Sequence, residues 1–129
     1  VVKRVVPDYP SHKEELEVIS LRDGDRIVGA TELRTGEEDL VFITDEAHLL
    51  RFPASVVRPQ GRPAGGMAGV KLGEGARVVS FTAVDPAVDA VVFTVAGSRG
   101  TLDDSVQTTA KVTPFDQYPR KGRATGGVR

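Results

Sequence analysis

The residues whose types and spacing best fit a chemical task are cations set among glycines. Residues 58–68 read RPQGRPAGGMA, and residues 118–129 read YPRKGRATGGVR. Arg62-Pro-Ala-Gly-Gly-Met returns as Arg123-Ala-Thr-Gly-Gly-Val at an offset of 61. Asp8-Tyr9-Pro10 reads as the start of a third copy without its glycines. The stretches 51–62 and 111–129 hold 8 of the 17 Lys and Arg against one acid, Asp116, whereas the other 98 residues hold 17 acids and 9 cations. The net charge of −1 and the pI near 6.1 therefore hide a segregation of positive charge into repeated loops. Cations in such loops can neutralise phosphates along a nucleic-acid backbone and release its condensed counterions. Glycine lets the main chain come close enough for its N–H groups to donate as well. Pro59 and Pro119 stiffen the start of each loop, which lowers the entropy lost on binding. Arg58, Arg62, Arg120, Lys121 and Arg123 are the candidate contacts, with Arg51 and Arg129 secondary. Apart from Phe52 beside Arg51, only Phe115 and Tyr118 interleave with these cations, so duplex backbone binding is favoured over stacking on single strands.

Other chemistries have little to work with. The chain of 129 residues has no Cys, which excludes disulfides, thiolate zinc sites and Cys nucleophiles. Gly-x-Ser-x-Gly, a phosphate loop ending in Gly-Lys-Ser/Thr, and His-Glu-x-x-His are all missing. His12 sits in a charged stretch and is expected to be exposed, while His48 belongs to a strand pattern as a packed or edge residue. Asp103 and Asp104 form a carboxylate pair in a polar segment, where exposure would leave them unactivated. Asp23, Asp25 and Glu74 read as solvated hairpin turns rather than a calcium ladder. No apolar run is long enough to span a bilayer, and no secretory or transit segment is visible, so a cytoplasmic location is expected.

The elements that must carry the loops are strands. Val is the commonest residue, at 20, and it is broken up by 14 Gly and 8 Pro, a balance that favours β structure. VISLRDGDRIV (18–28) returns as GVKLGEGARVV (69–79), with Leu21 matching Leu72 at an offset of 51. DLVFIT (39–44) returns as DAVVFT (89–94) at an offset of 50. The step from 50 to 61 places an insertion of 11 residues between Thr94 and Val112, and residues 95–106 read as a polar, mobile loop. Strands are expected at 18–21, 27–33, 40–44 and 48–52, and again at 70–72, 78–84, 90–95 and 106–112. Asp23-Gly24 and Glu74-Gly75 carry turn chemistry, and Leu40 to Ile43 should be buried on both faces. HKEELEV (12–18) is too short for a helix and reads as a turn or extended segment. A period near 50 with four strands per unit is propeller arithmetic, and two units cannot close a ring. The chain reads as an excerpt of a longer repeat domain, with units at about 3–50 and 51–110 and a third beginning at 111–129.

RFPASVVRPQGRPAGGMAGVKLGEGARVV (51–79) resembles a blade of the C-terminal domain of the bacterial type IIA topoisomerase A subunit, from DNA gyrase or topoisomerase IV. KVTPFDQYPRKGRATGGVR (111–129) and VISLRDGDRIVGA (18–30) are similar to neighbouring blades. The resemblance implies an all-β pinwheel, propeller-like, of which this chain supplies about two four-stranded antiparallel blades, with a strand exchanged between neighbours. It further implies a basic rim that binds and bends duplex DNA. The family's breakage tyrosine lies in a separate region, and Tyr9 and Tyr118 match blade positions instead. No catalytic residue and no cofactor are expected in this chain. The parent enzyme would use ATP and Mg through other domains or subunits. Its partners would be the A-subunit dimer and an ATPase B subunit, in a bacterial, nucleoid-associated setting. The gyrase box Gln-Arg-Arg-Gly-Gly-Lys-Gly does not occur, and PRKGRATGG (119–127) is its nearest relative here.

The expected function is non-catalytic, sequence-independent binding and bending of duplex DNA, positioning it for supercoiling or decatenation. A propeller-type protein-interaction module is the alternative, with the acidic majority meeting a basic partner. A small-molecule-binding β domain ranks third.

Overall fold

The structure, a computed structural model, describes residues 1–6, 12–97 and 109–129. The expected copy at 8–10, Tyr9, Asp103, Asp104 and most of the 95–106 insertion lie outside the described residues. The fold is all-β. Five strands form, β1 (Asp39–Thr44), β2 (Leu49–Pro53), β3 (Val78–Val84), β4 (Val91–Ala96) and β5 (Thr109–Pro114). Short 3-10 turns at Ala54–Val56 and Phe115–Gln117 follow β2 and β5. The segment 12–18 forms no helix, and no helix among the described residues is long and apolar enough to cross a membrane.

The strands make two antiparallel sheets, one of order β2-β1-β3 and one of β4-β5. β1 and β2 are joined by a tight turn closed by Thr44 N–H to His48 C=O at 2.9 Å, with Phe42 opposite Leu50. On its other edge β1 pairs with β3, Phe42 opposite Phe81, with a register shift at Ile43 and Thr44. β4 pairs with β5 from Val91–Pro114 to Ala96–Thr109.

β1 lies mid-sheet and is buried on both faces, as its unbroken apolar run predicts. Leu40 and Phe42 join Leu50, Phe52, Ala54, Val57 and Val2 in one cluster. Val41 joins Leu49 and Phe115 in a second, which Val92 and Tyr118 flank. Phe42 packs against Phe52 and Phe81 with ring centroids 5.3 and 5.1 Å apart. The second cluster draws on β1, β2, β4 and the turn after β5, so it seals one repeat to the next.

The sheets differ from the expected pair of four-stranded units, for one reason. β3 copies the segment 27–33 and β4 copies β1, yet β3 pairs with β1 of the preceding copy and not with β4. This is the exchanged strand. By the same rule 27–33 would pair with a strand one copy earlier, and none precedes it among the described residues. It forms no ladder, and 18–21 forms none either. Ile27 and Val28 are exposed accordingly. The segment 70–72 contributes a single bridge, Val70 with Thr125. The turns follow their sequence chemistry: Asp25 N–H donates to Arg22 C=O and Ala76 N–H to Gly73 C=O, with Gly24 and Gly75 at positive φ.

Candidate nucleic-acid interface

Both basic loops are docked by the same set of main-chain bonds. In the first, Val2 and Met67 exchange two hydrogen bonds at 2.8 Å, and Gln60 N–H donates to Arg4 C=O at 2.9 Å. In the second, Leu49 and Val128 exchange bonds at 2.7 and 2.9 Å, and Lys121 N–H donates to Arg51 C=O at 3.0 Å. Met67 and Val128, like Gln60 and Lys121, are 61 residues apart, the offset found in the sequence. The anchors Val2 and Leu49, like Arg4 and Arg51, are 47 apart. Each loop therefore closes over the segment before it, residues 2–4 for the first loop and β2 for the second.

The glycine pairs make this approach possible. Gly66 and Gly127 have φ of +91° and +77°. A Cβ at Gly66 would lie 2.8 Å from Val2 C=O, and one at Gly127 would lie 2.6 Å from Leu49 C=O. A second set of bonds ties successive loops together. Lys71 N–H donates to Thr125 C=O at 3.0 Å and Ala124 N–H to Gly69 C=O at 2.8 Å. One copy earlier, Ser20 N–H reaches Ala64 C=O at 3.4 Å. Residues 58–62 and 119–123 thus occupy equivalent places on consecutive units, and Arg62 and Arg123 are the cations they share.

The candidate cations divide by their surroundings. Arg58, Lys121 and Arg129 are exposed, and Arg62 and Arg123 are half-buried. None of these five has a carboxylate partner among the described residues. Arg123 Nη1 donates to Ala68 C=O, which holds it along the preceding segment. Arg120 Nε donates to Asp39 Oδ2 at 3.0 Å, while 47% of the Arg120 side chain stays exposed. Arg51 is different. Its side chain is 13% exposed, its Nε lies 3.6 Å from Asp39 Oδ2, its Nη1 donates to Phe115 C=O at 3.2 Å, and its guanidinium sits 4.3 Å from the Phe115 ring centroid. That geometry braces the junction between β2 and the turn after β5.

Two structural residues are not among the sequence-based candidates. Asp39 is fully buried yet faces two arginines. Lys3 Nζ donates to the carbonyls of Val18, Arg62 and Ala64 at 2.6, 2.5 and 2.7 Å, fixing the first loop from within. The repeated Asp at 39 and 89 is a visible signal, but its arginine partners come from β2 and from a loop 81 residues away. Glu38 accepts from the N–H groups of Thr35, Arg34 and Gly36, and these bonds, Thr35 foremost, hold its carboxyl down at about 2 against an ordinary 4.5. His48 is half-buried at the end of the turn just before β2 rather than within a strand, 3.8 Å from Glu46, and His12 is exposed.

A family described as the DNA gyrase C-terminal domain, a β-propeller, matches residues 38–85 and 109–129. These residues contain the three-stranded sheet, β5 and both basic loops. The chain belongs to the DNA gyrase C-terminal domain family. It is 36% identical over 110 residues to the DNA gyrase A subunit of Escherichia coli K12, covering 85% of this chain and 11% of that one. To the DNA gyrase A subunit of Mycolicibacterium smegmatis it is 31% identical over 131 residues, 99% of this chain and 14% of that one. The crystal structure of the C-terminal domain of DNA topoisomerase IV superposes with a TM-score of 0.68 at 28% identity, covering 86% of this chain and 31% of that one. The chain thus spans about a seventh or less of the gyrase proteins it matches.

Proposed function

We propose that this chain binds duplex DNA without reading its sequence, through basic loops that recur on consecutive units. The observation that carries this reading is the equivalent docking of the loops 58–67 and 119–128, which puts Arg62 in register with Arg123 and leaves Arg58 in the first loop and Arg120 and Lys121 in the second beside them. Arg129 extends the second cluster, and Arg51 serves as a brace beneath it. Cations repeated at a fixed step favour a curved duplex, because bending brings more phosphates within reach. The gyrase and topoisomerase IV relatives support a role in DNA topology. Within a longer A subunit, the domain would present DNA to breakage machinery carried elsewhere, with ATP and Mg used by other domains or by a B subunit, in a bacterial cytoplasm.

The test is titration of a labelled duplex at two salt concentrations. Five phosphate contacts imply a log–log slope of about −4.5, or roughly a 500-fold loss of affinity between 50 and 200 mM salt. Duplexes of unrelated sequence should bind alike. Reversing Lys121 and Arg123, which face no carboxylate among the described residues, to Glu should weaken all of them equally while the circular dichroism spectrum persists. Undetectable binding at low salt would overturn the reading and favour a protein-interaction module.

A further inference from the structure

We propose that Asp39 is a positioning residue for duplex binding, holding Arg120 by its Nε so that the outer edge of the guanidinium is presented to a phosphate. The inference rests on the duplex-binding reading above. Asp39 is wholly buried at the start of β1, and Arg120 lies in the second basic loop, 81 residues further on. The bond between them is 3.0 Å from Nε to Oδ2. No other hydrogen bond from the Arg120 side chain occurs among the described residues, and nearly half its side chain is exposed. A guanidinium has five N–H donors in a rigid planar fork. One donor directed inward to a fixed carboxylate leaves the Nη groups for a bidentate anion, already oriented. A lysine ammonium is a point charge without a second, fixed edge.

Asp39 itself is held. Arg51 Nε stands 3.6 Å from the same Oδ2, and Arg51 is fastened to Phe115, which follows β5. The carboxylate thus takes its position from the junction between two repeats and passes it to the loop cation. Arg120 has no counterpart in the first loop, where the matching residue is Pro59. The device belongs to this junction, and so does the sharper contact it creates.

The prediction runs against simple charge counting. Asp39→Asn removes a negative charge near the basic loop, and an unstructured field effect would tighten binding. Positioning predicts a loss of about threefold to tenfold, with the salt slope falling by about 0.9, the equivalent of one phosphate. On an Arg120→Gln background, Asp39→Asn should cost nothing further, because the two act through one contact. Unchanged or tighter binding by the Asp39→Asn chain would overturn the inference, as would an equal loss on both backgrounds. Circular dichroism melts check that the variants fold. Should Asp39→Asn fail to fold, Arg120→Lys decides: binding as weak as Arg120→Gln supports positioning, and wild-type binding overturns it. Wild-type affinity that ignores salt would instead remove the duplex reading, and this inference with it.

Discussion

Arg51 and Arg120 carry the same charge and face the same carboxylate, but one is 13% exposed and the other 47%. Nothing in the one-dimensional pattern separates them, because exposure is decided by the turn after β5 that covers Arg51. The segregation of charge is legible in the sequence; the distribution of tasks among the cations is not. Glu38 shows a similar limit. Its carboxylate is fixed by N–H groups of residues 34–36, within four positions of itself, and Thr35-Gly36 announces a turn there without saying which carboxylate will accept from it. Its folded carboxyl lies at about 2, below the ordinary 4.5, so the unfolded chain takes up its proton first as pH falls. The stabilisation is complete above about pH 5 and disappears as pH drops toward 2. Urea unfolding of wild type and Glu38→Gln should differ most near pH 6 and converge near pH 2. Gly127 makes a second test at this scale. Alanine there meets Leu49 C=O and must hold a left-handed conformation, so Gly127→Ala should cost about 2 kcal/mol or more by denaturant unfolding.

At the scale of elements, runs of β-branched residues announce strands, and pairing decides which form. VVSFTAV (78–84) becomes β3 because β1 offers it an edge, whereas the similar stretch 27–33 has no such neighbour among the described residues and leaves Ile27 and Val28 exposed. Propensity cannot supply a partner. The hairpin β4–β5 illustrates the same rule from the other side. Val91, Phe93 and Val95 share a face by the alternation of a strand, and each is more than half exposed. The copies of the first two on β1, Val41 and Ile43, are covered by residues of the next unit. Phe93→Ser should therefore change stability by about 1 kcal/mol or less, while Phe52→Ala, fully buried, should cost about 3–5 kcal/mol. Equal losses for the two, measured by chemical denaturation, would contradict the difference in burial.

For the whole molecule, the offset of 61 foretells how the loops recur, since it reappears as pairs of equivalent hydrogen bonds. What the offsets do not convey is direction: each loop closes on the segment behind it, and the exchanged strand pairs backward as well. The boundary expected at residue 50 accordingly falls inside the β1–β2 hairpin. A tandem row has no phase of its own, so a copy gained or lost between any two equivalent positions returns every loop and every exchanged strand to a predecessor. What such an event changes is the number of cation-bearing loops along the row, one for each period.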